Sequence, residues 1–375
     1  MKGRVALAAL AAGLAGLAAP AAASAVPAIR APAAFLLERD TGRVIYSRSP
    51  HQRRLIASTT KLMTALVTLE RARLGRTVTV APYVAGPGES TAGLRAGQRV
   101  TVRDLLRAML LASANEAAHA LAIDVAGSLG AFVDEMNDQA RVLHLRDTHY
   151  ATPVGLDSPG NYSSAADLGH LADVLLRDRF FAATVDRAGA TLPSAGSVQV
   201  VNRNDLVGRY PFVIGIKTGR TDAAGDCLVG AGRRRGATMI SVVLGEPNAG
   251  ARDRDTLALL RYGLSMYRRA QLVRRGQAYA SVPVAGAPAV MLRAARGASA
   301  VLRVGRRATL RVVGLAASVA PPVARGARLG FLDALAGGRV IARVPLVAAR
   351  AVPLPATTIP PSTPATPTAT PQGVA

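Results

Sequence analysis

The sequence predicts a mixed α/β chain, an antiparallel sheet flanked by helices, followed by a small all-β sandwich. Three observations carry this. Up to about residue 270, helical apolar periodicity alternates with short apolar runs bounded by turn residues. From 271 onward the pattern becomes short Val/Leu/Arg alternations punctuated by Gly and Pro, as in a small sandwich. Half of the 375 residues are hydrophobic and 18% are charged, which allows a sizeable core and excludes wholesale disorder. The length suits two or three domains.

Taken in order, residues 1–25 read as a signal peptide. Lys2 and Arg4 form a positive start, an Ala/Leu/Val stretch follows, and Ala23-Ser24-Ala25 is a small-x-small cleavage site. The apolar run is also about long enough for an uncleaved membrane anchor, but Pro20 and the cleavage site favour processing. Either way the rest is expected to be exported, to the periplasm or the extracytoplasmic envelope. No cysteine follows the apolar run, so a lipoprotein anchor is not expected.

Residues 26–270 form the first predicted domain. Ala33–Leu37 and Arg43–Ser47 around Asp40-Thr41-Gly42 predict strand, turn, strand. Thr60 to Arg73 predicts a helix with Leu62, Met63, Leu66, Val67 and Leu69 on one face. Val102–Leu111, Glu116–Val125, Leu168–Leu176 and Thr256–Arg268 predict further helices. Val213–Ile216, Cys227–Ala231 and Met239–Leu244 predict successive strands, turned by Gly219–Gly225 and Arg233–Gly236. Residues 271–350 form the predicted sandwich, with no helix beyond a turn near Leu332. Residues 351–375 carry seven prolines, six threonines and no charge, and predict an extended tail.

The net charge of +23 first suggests nucleic acid. Export argues against that partner, and the absence of Trp with 4% aromatic residues argues against a base-stacking surface. Residues 271–350 hold thirteen arginines and one acid, Asp333. Outside the membrane such charge would meet anionic wall polymers, a membrane surface or peptide carboxylates. A solvated surface inherited from an arginine-rich composition explains it equally well. The lone Cys227 excludes a disulfide framework and multi-cysteine metal sites, and the five histidines lack ligand spacing, so no metal or cofactor is expected.

Of the 46 basic residues only Lys2, Lys61 and Lys217 are lysine. Arginine does not give up its proton, whereas lysine can. Lysines kept in such a composition are candidates for chemistry that needs a deprotonatable or compact amine.

Ser58-Thr59-Thr60-Lys61 stands at the entry to an amphipathic helix, with Ser58 and Lys61 on one face. A desolvated neutral lysine one turn from a serine can take its proton, and the helix start offers N–H groups to an oxyanion. Alone, the motif fits a capping serine and a surface lysine just as well. Ser113-Ala114-Asn115 lies in a break between two helices, and by itself is an ordinary loop with a cap. Lys217-Thr218-Gly219 ends an apolar strand and suits carboxylate binding with close backbone approach, or a plain turn.

In that order, S-x-x-K, S-x-N and K-T-G form the signature of the penicillin-interacting serine acyl-transferases and hydrolases. Residues 33–270 resemble more narrowly the D-alanyl-D-alanine carboxypeptidases of peptidase family S11, the low-molecular-weight penicillin-binding proteins. The resemblance runs through 57–66, 113–118, Gly155-Leu156-Asp157, Ser163-Ser164-Ala165, Asn202-Arg203-Asn204, 215–219, 241–245 and Arg252 with 259–263. It implies a serine β-lactamase/penicillin-binding-protein-like fold, and a Ser58 acyl-enzyme that removes the terminal D-alanine from peptidoglycan stem peptides. It further implies Lys61 as general base, and Ser113 and Asn115 as proton relay and amide holder. Lys217, Thr218 and Gly219 would serve the terminal carboxylate, with Arg252 and, more weakly, Arg203 beside them. The N–H groups of Ser58 and Arg220 would form the oxyanion hole. β-Lactam antibiotics would acylate Ser58.

Arg220 is bulkier than the residue that often follows K-T-G in relatives, and the Pro/Thr tail replaces their frequent amphipathic terminal helix. Three other activities compete with this reading. A class A β-lactamase lacks support, because no glutamate between Ser113 and Lys217 stands in an E-x-x-L-N context, Glu135 included. The others are a D,D-endopeptidase of peptide cross-links and a non-catalytic wall-binding protein.

Overall fold

The structure, a computed structural model, describes residues 25–354. The signal-peptide expectation therefore lies almost wholly outside the described residues, as does the tail beyond Leu354. The chain divides into two compact units, one running to Arg269 and including Val301–Arg306, the other holding Ala270–Ala300 and the chain from Arg307. The 271–350 boundary thus needs correction: Val301 is buried in a core of the first unit.

The first unit is built on five antiparallel strands, β1 (Ala33–Glu38), β2 (Arg43–Arg48), β3 (Val213–Thr221), β4 (Gly225–Arg234) and β5 (Ala237–Glu246), in the order β2-β1-β5-β4-β3. All six residues of β1 are buried. Side chains alternate across a strand, and here both faces are covered. Ala33, Phe35 and Leu37 enter one core, Ala34 and Leu36 the other. β5 divides likewise, Ile240, Val242 and Leu244 against Met239 and Val243. This explains why the strands read as continuous apolar runs rather than as clean alternation.

The larger core packs α1 (Lys61–Arg71), α2 (Val102–Arg107), α3 (Asn115–Ala126), α4 (Leu129–Val142) and α5 (Ala165–Leu175); the other receives α6 (Ala249–Met266) through Leu257, Leu259, Leu260 and Leu264. Several ends differ from expectation for local reasons. The Val102–Leu111 helix becomes α2 followed by a π-helical turn at Ala108–Ala112. Helix α6 begins before Thr256 because Asn248 caps it, its side chain accepting from the Ala251 N–H, so the charged run around Arg252 is helical. Tyr267 onward is already strand. Helix α4 was not expected: only Phe132, Met136 and Ala140 are buried, a stripe too narrow to stand out.

The second unit holds an antiparallel sheet of Ala278–Val284, Ala287–Ala294, Arg339–Ala348, Arg328–Ala336 and Thr309–Val313, in that order. Its core comprises Val282, Val290, Leu292, Leu332, Val344 and Leu346 among others. Leu332 is a mid-strand core residue, not part of a turn. Val352 is also buried and bridges to Val323, so the packed chain runs past the expected boundary at 351. Among the described residues no single helix is long and apolar enough to cross a membrane.

Candidate active site

Ser58 sits in a 3-10 turn, Ala57–Thr60, that leads directly into α1. It makes no capping hydrogen bond, so its hydroxyl is not spent on the helix end. Ala57 just before it has φ +47°, a left-handed value for a residue with a Cβ. Two glycines make room for this turn. A Cβ on Gly155, itself at φ +85°, would fall 2.1 Å from the Ala57 carbonyl oxygen. A Cβ on Gly219 would fall 2.9 Å from the Ile56 oxygen and 3.1 Å from the Ser58 nitrogen. Strand β3 therefore lies against the serine turn as only glycine permits.

This corrects the expected end of the strand. Lys217-Thr218-Gly219 is not a strand end leading into a turn. It lies inside β3, paired with Val229, Leu228 and Cys227 of β4. The pairing fixes its direction as rigidly as any part of the sheet.

Lys61 is completely buried at the first turn of α1. Its Nζ lies 2.9 Å from Ser58 Oγ and donates to the Val154 carbonyl at 2.6 Å. Burial is the main force holding its pKa well below the ordinary lysine value, reinforced by Lys217 and Arg203 and opposed by Glu89 and Glu116. A neutral amine still donates to Val154 while its lone pair accepts from the Ser58 hydroxyl. Lys217, also buried, donates to the Thr218 carbonyl at 2.9 Å. Burial, then Arg203 and Arg252, bring its pKa down to about 7.

Ser113 closes the π-helical turn in the left-handed region at φ +62°. Its Oγ is buried and has no protein partner among the described residues. Asn115 opens α3; its Nδ2 donates to Glu89 Oε2 at 2.7 Å, and its Oδ1 is buried without a partner among the described residues. Arg203 donates from Nε to the Ala112 carbonyl at 3.0 Å. Arg252, on α6 and almost buried, pairs with Asp226 at 3.3 Å and Asp253 at 2.8 Å. Arg220 is largely exposed, 3.6 Å from both Asp222 and Asp226.

Ser58, Ser113, Asn115, Arg203, Thr218, Gly219, Arg220 and Arg252 all line one cleft of about 870 Å³. Lys61 and Lys217 lie beneath its floor. Ten residues chosen from scattered sequence positions thus converge. Sequence reasoning missed Glu89, in Gly86-Pro87-Gly88-Glu89-Ser90, and Asp226, both of which line the cleft. An isolated acid in a Gly/Pro loop of an arginine-rich chain was the one signal that pointed to Glu89. Glu135 instead pairs with Arg71 at 3.3 Å and does not line the cleft. Cys227 is buried and its thiol is pushed up to about 11 by burial, as befits an inert strand residue.

The family described as D-alanyl-D-alanine carboxypeptidase, peptidase family S11, matches residues 20–248. This chain belongs to that family. The carboxypeptidase DacF of Bacillus subtilis is 30% identical over 331 residues, covering 85% of each chain. DacD of Escherichia coli is 36% identical over 267 residues, 66% of this chain and 67% of its own. Among solved structures, penicillin binding protein 5 of Haemophilus influenzae superposes with a TM-score of 0.64 at 27% identity, covering 87% of this chain and 98% of its own. A Streptomyces DD-transpeptidase does so with 0.61 at 32% identity, covering 64% and 100%. The carboxypeptidase is accordingly a serine-type hydrolase that acts on D-Ala-D-Ala ends in cell-wall peptides, on a penicillin-binding-protein fold with a separate all-β unit. The cross-link endopeptidase and wall-binding alternatives are not favoured.

Proposed function

We propose that Ser58 is the nucleophile and Lys61 its general base. The observation that carries this is the buried amine 2.9 Å from the hydroxyl, in surroundings that favour its neutral form. Ser58 Oγ attacks the carbonyl carbon between the two terminal D-alanines while its proton passes to Lys61 Nζ. The oxyanion is met by the N–H groups of Ser58 and Arg220, with Gly219 allowing the strand to lie against the turn. The C–N bond breaks, and the leaving amine takes a proton relayed through Ser113. Water then attacks the ester, returns a proton to Ser58 and releases a peptide shortened by one D-alanine.

Asn115 holds a substrate amide through its side-chain amide. Lys217, Thr218 and Arg252 receive the terminal carboxylate, Arg203 adds positive potential, and Arg220 contributes a cation at the rim. Arg252 supports that division as a permanent cation on the cleft wall, with Lys217, whose pKa is about 7, buried beneath it. β-Lactams acylate Ser58 by the same first step. The protein works outside the cytoplasm after removal of residues 1–25, and its basic second unit meets anionic wall polymers or the membrane surface. Support for the last two statements is the Ala-Ser-Ala site and the arginine excess over the single Asp333.

The test is D-alanine release from a peptide ending in D-Ala-D-Ala by the mature protein, with Ser58→Ala beside it. Release that falls by about 10⁴-fold or more in the variant is expected. Undiminished release in Ser58→Ala would overturn the assignment, as would an intact-mass spectrum without a penicillin adduct on the folded wild type.

A further inference from the structure

We propose that Arg220 and Asp222 select the peptide residue that precedes the D-Ala-D-Ala end, favouring one whose side chain ends in both a carboxylate and an ammonium. The inference rests on the peptidase reading above and adds the class of stem peptide preferred. Exposed arginines are common in this chain; what distinguishes Arg220 is its place.

Arg220 follows Lys217-Thr218-Gly219 on β3 and lies opposite Asp226 of β4. Directly opposed residues of an antiparallel pair share a face, as do residues two apart along one strand. Thr218 therefore shares its face with Arg220, and the residue opposite Thr218, Leu228, packs into the core that receives α6. Arg252 of α6 meets Asp226 on that side at 3.3 Å. Two residues of strand span about 7 Å.

Thr218 and Arg252 receive the terminal carboxylate in the proposed mechanism, and the scissile carbonyl at the Arg220 N–H sets the direction of the peptide. Extended chain covers about 3.3 Å per residue. A peptide laid along β3 thus brings the residue before its D-Ala-D-Ala end beside the Arg220 side chain.

Charges alternate along this wall as Arg252, Asp226, Arg220 and Asp222, and all four residues line the cleft. Arg220 stands 3.6 Å from Asp226 and 3.6 Å from Asp222; its side chain is 71% exposed, and that of Asp222 fully so. At that distance neither contact is a hydrogen bond, so the guanidinium fork keeps donors for a planar carboxylate. An ammonium beside that carboxylate meets Asp222 and continues the alternation. A carboxylate alone is repelled by Asp222 and Asp226, and an ammonium alone by Arg220.

The rim is held in place before any peptide arrives. Thr221, between the two charged residues, donates from Oγ1 to Asp157 Oδ1 at 2.6 Å and accepts from the Ala224 N–H at 3.0 Å. Both ends of the turn are thereby tied, and less ordering is left to the moment of binding.

The experiment compares D-alanine release by the mature protein from three peptides that differ only in the residue before D-Ala-D-Ala. The first carries meso-diaminopimelate with both side-chain groups free, the second has that side-chain carboxylate amidated, and the third has the ammonium acetylated. At low salt, kcat/KM for the first should exceed that for each of the others by about fivefold or more. These ratios should fall as salt is raised, because the rim is exposed. Arg220→Gln should bring the ratio against the amidated peptide to within about twofold, and Asp222→Asn should do the same against the acetylated one. A ratio cancels any loss that a variant imposes on all three peptides alike.

Smaller ratios in the wild type overturn the proposal, as do ratios that either variant preserves. Should Arg220→Gln be too slow to measure, the wild type at low and high salt decides, and a preference indifferent to salt overturns the proposal. The two levels separate cleanly. No Ser58-dependent release from any of the peptides sinks the peptidase reading and this one with it, whereas Ser58-dependent release without preference sinks the role of Arg220 and Asp222 alone.

Discussion

Positive charge is placed differently in the two units. In the first, Lys61 and Lys217 are buried with no carboxylate of the described residues in hydrogen-bond contact, and Arg252 nearby is ion-paired. In the second, Arg275, Arg293, Arg325 and Arg339 stand exposed around one acid, Asp333, which is already bonded to Arg343 at 2.7 and 2.8 Å. Both lysines of the described residues are stripped of water and have lowered pKa values. Arginine occurs where a permanent cation suffices. The chain's net charge therefore says little about its chemistry, while the few departures from arginine say much.

Lys61→Arg tests this contrast most severely. A guanidinium keeps its proton and has no room at this position, so kcat/KM for D-alanine release should fall by about 10³-fold. Activity within about tenfold of wild type would break the comparison. Gly155→Ala attacks the frame instead. With its Cβ 2.1 Å from the Ala57 oxygen at φ +85°, it should destabilise the fold by about 3 kcal/mol or more, seen in denaturant melts.

Lys217 gives a signed pH dependence. Folded, it loses its proton at about pH 7, while in the unfolded chain it keeps it up to the ordinary lysine value. Between those limits the unfolded state binds more protons, so this group makes stability rise with pH, by up to about 1.4 kcal/mol per unit. Below about pH 7 both states are protonated and the burial penalty is felt in full. Lys217→Met should remove the slope, so the Tm difference between variant and wild type should shrink as pH rises. A difference constant with pH would contradict the burial account. The smallest effect is expected in the second unit: Arg275→Lys should leave Tm within about 2 °C and kcat/KM within about twofold.

Much of the site and of the central sheet is legible in the amino-acid order. Ser58, Lys61, Ser113, Asn115 and Lys217-Thr218-Gly219 are recognisable because their residue types are unusual together, and β1, β3, β4 and β5 because apolar runs between turns have few alternatives. Less legible are elements whose cause is capping or a narrow stripe, such as the start of α6 at Asn248 and all of α4. Glu89 escapes because its partner, Asn115, is distant in sequence and no periodicity links a Gly/Pro loop to a helix start. The return of Val301–Arg306 to the first unit is hidden for the same reason.

Residue type and spacing were enough for the family resemblance, for a serine and a lysine one turn apart, and for the succession of apolar strands, since each of these is written within short stretches of helix or strand. Tertiary packing supplied the rest. It brought Val154, Gly155 and Gly219 against the serine turn, buried both lysines deeply enough to lower their pKa values, and joined Asn115 to Glu89. These are consequences of water exclusion and of contacts between distant segments, and neither is written in any local stretch of the chain.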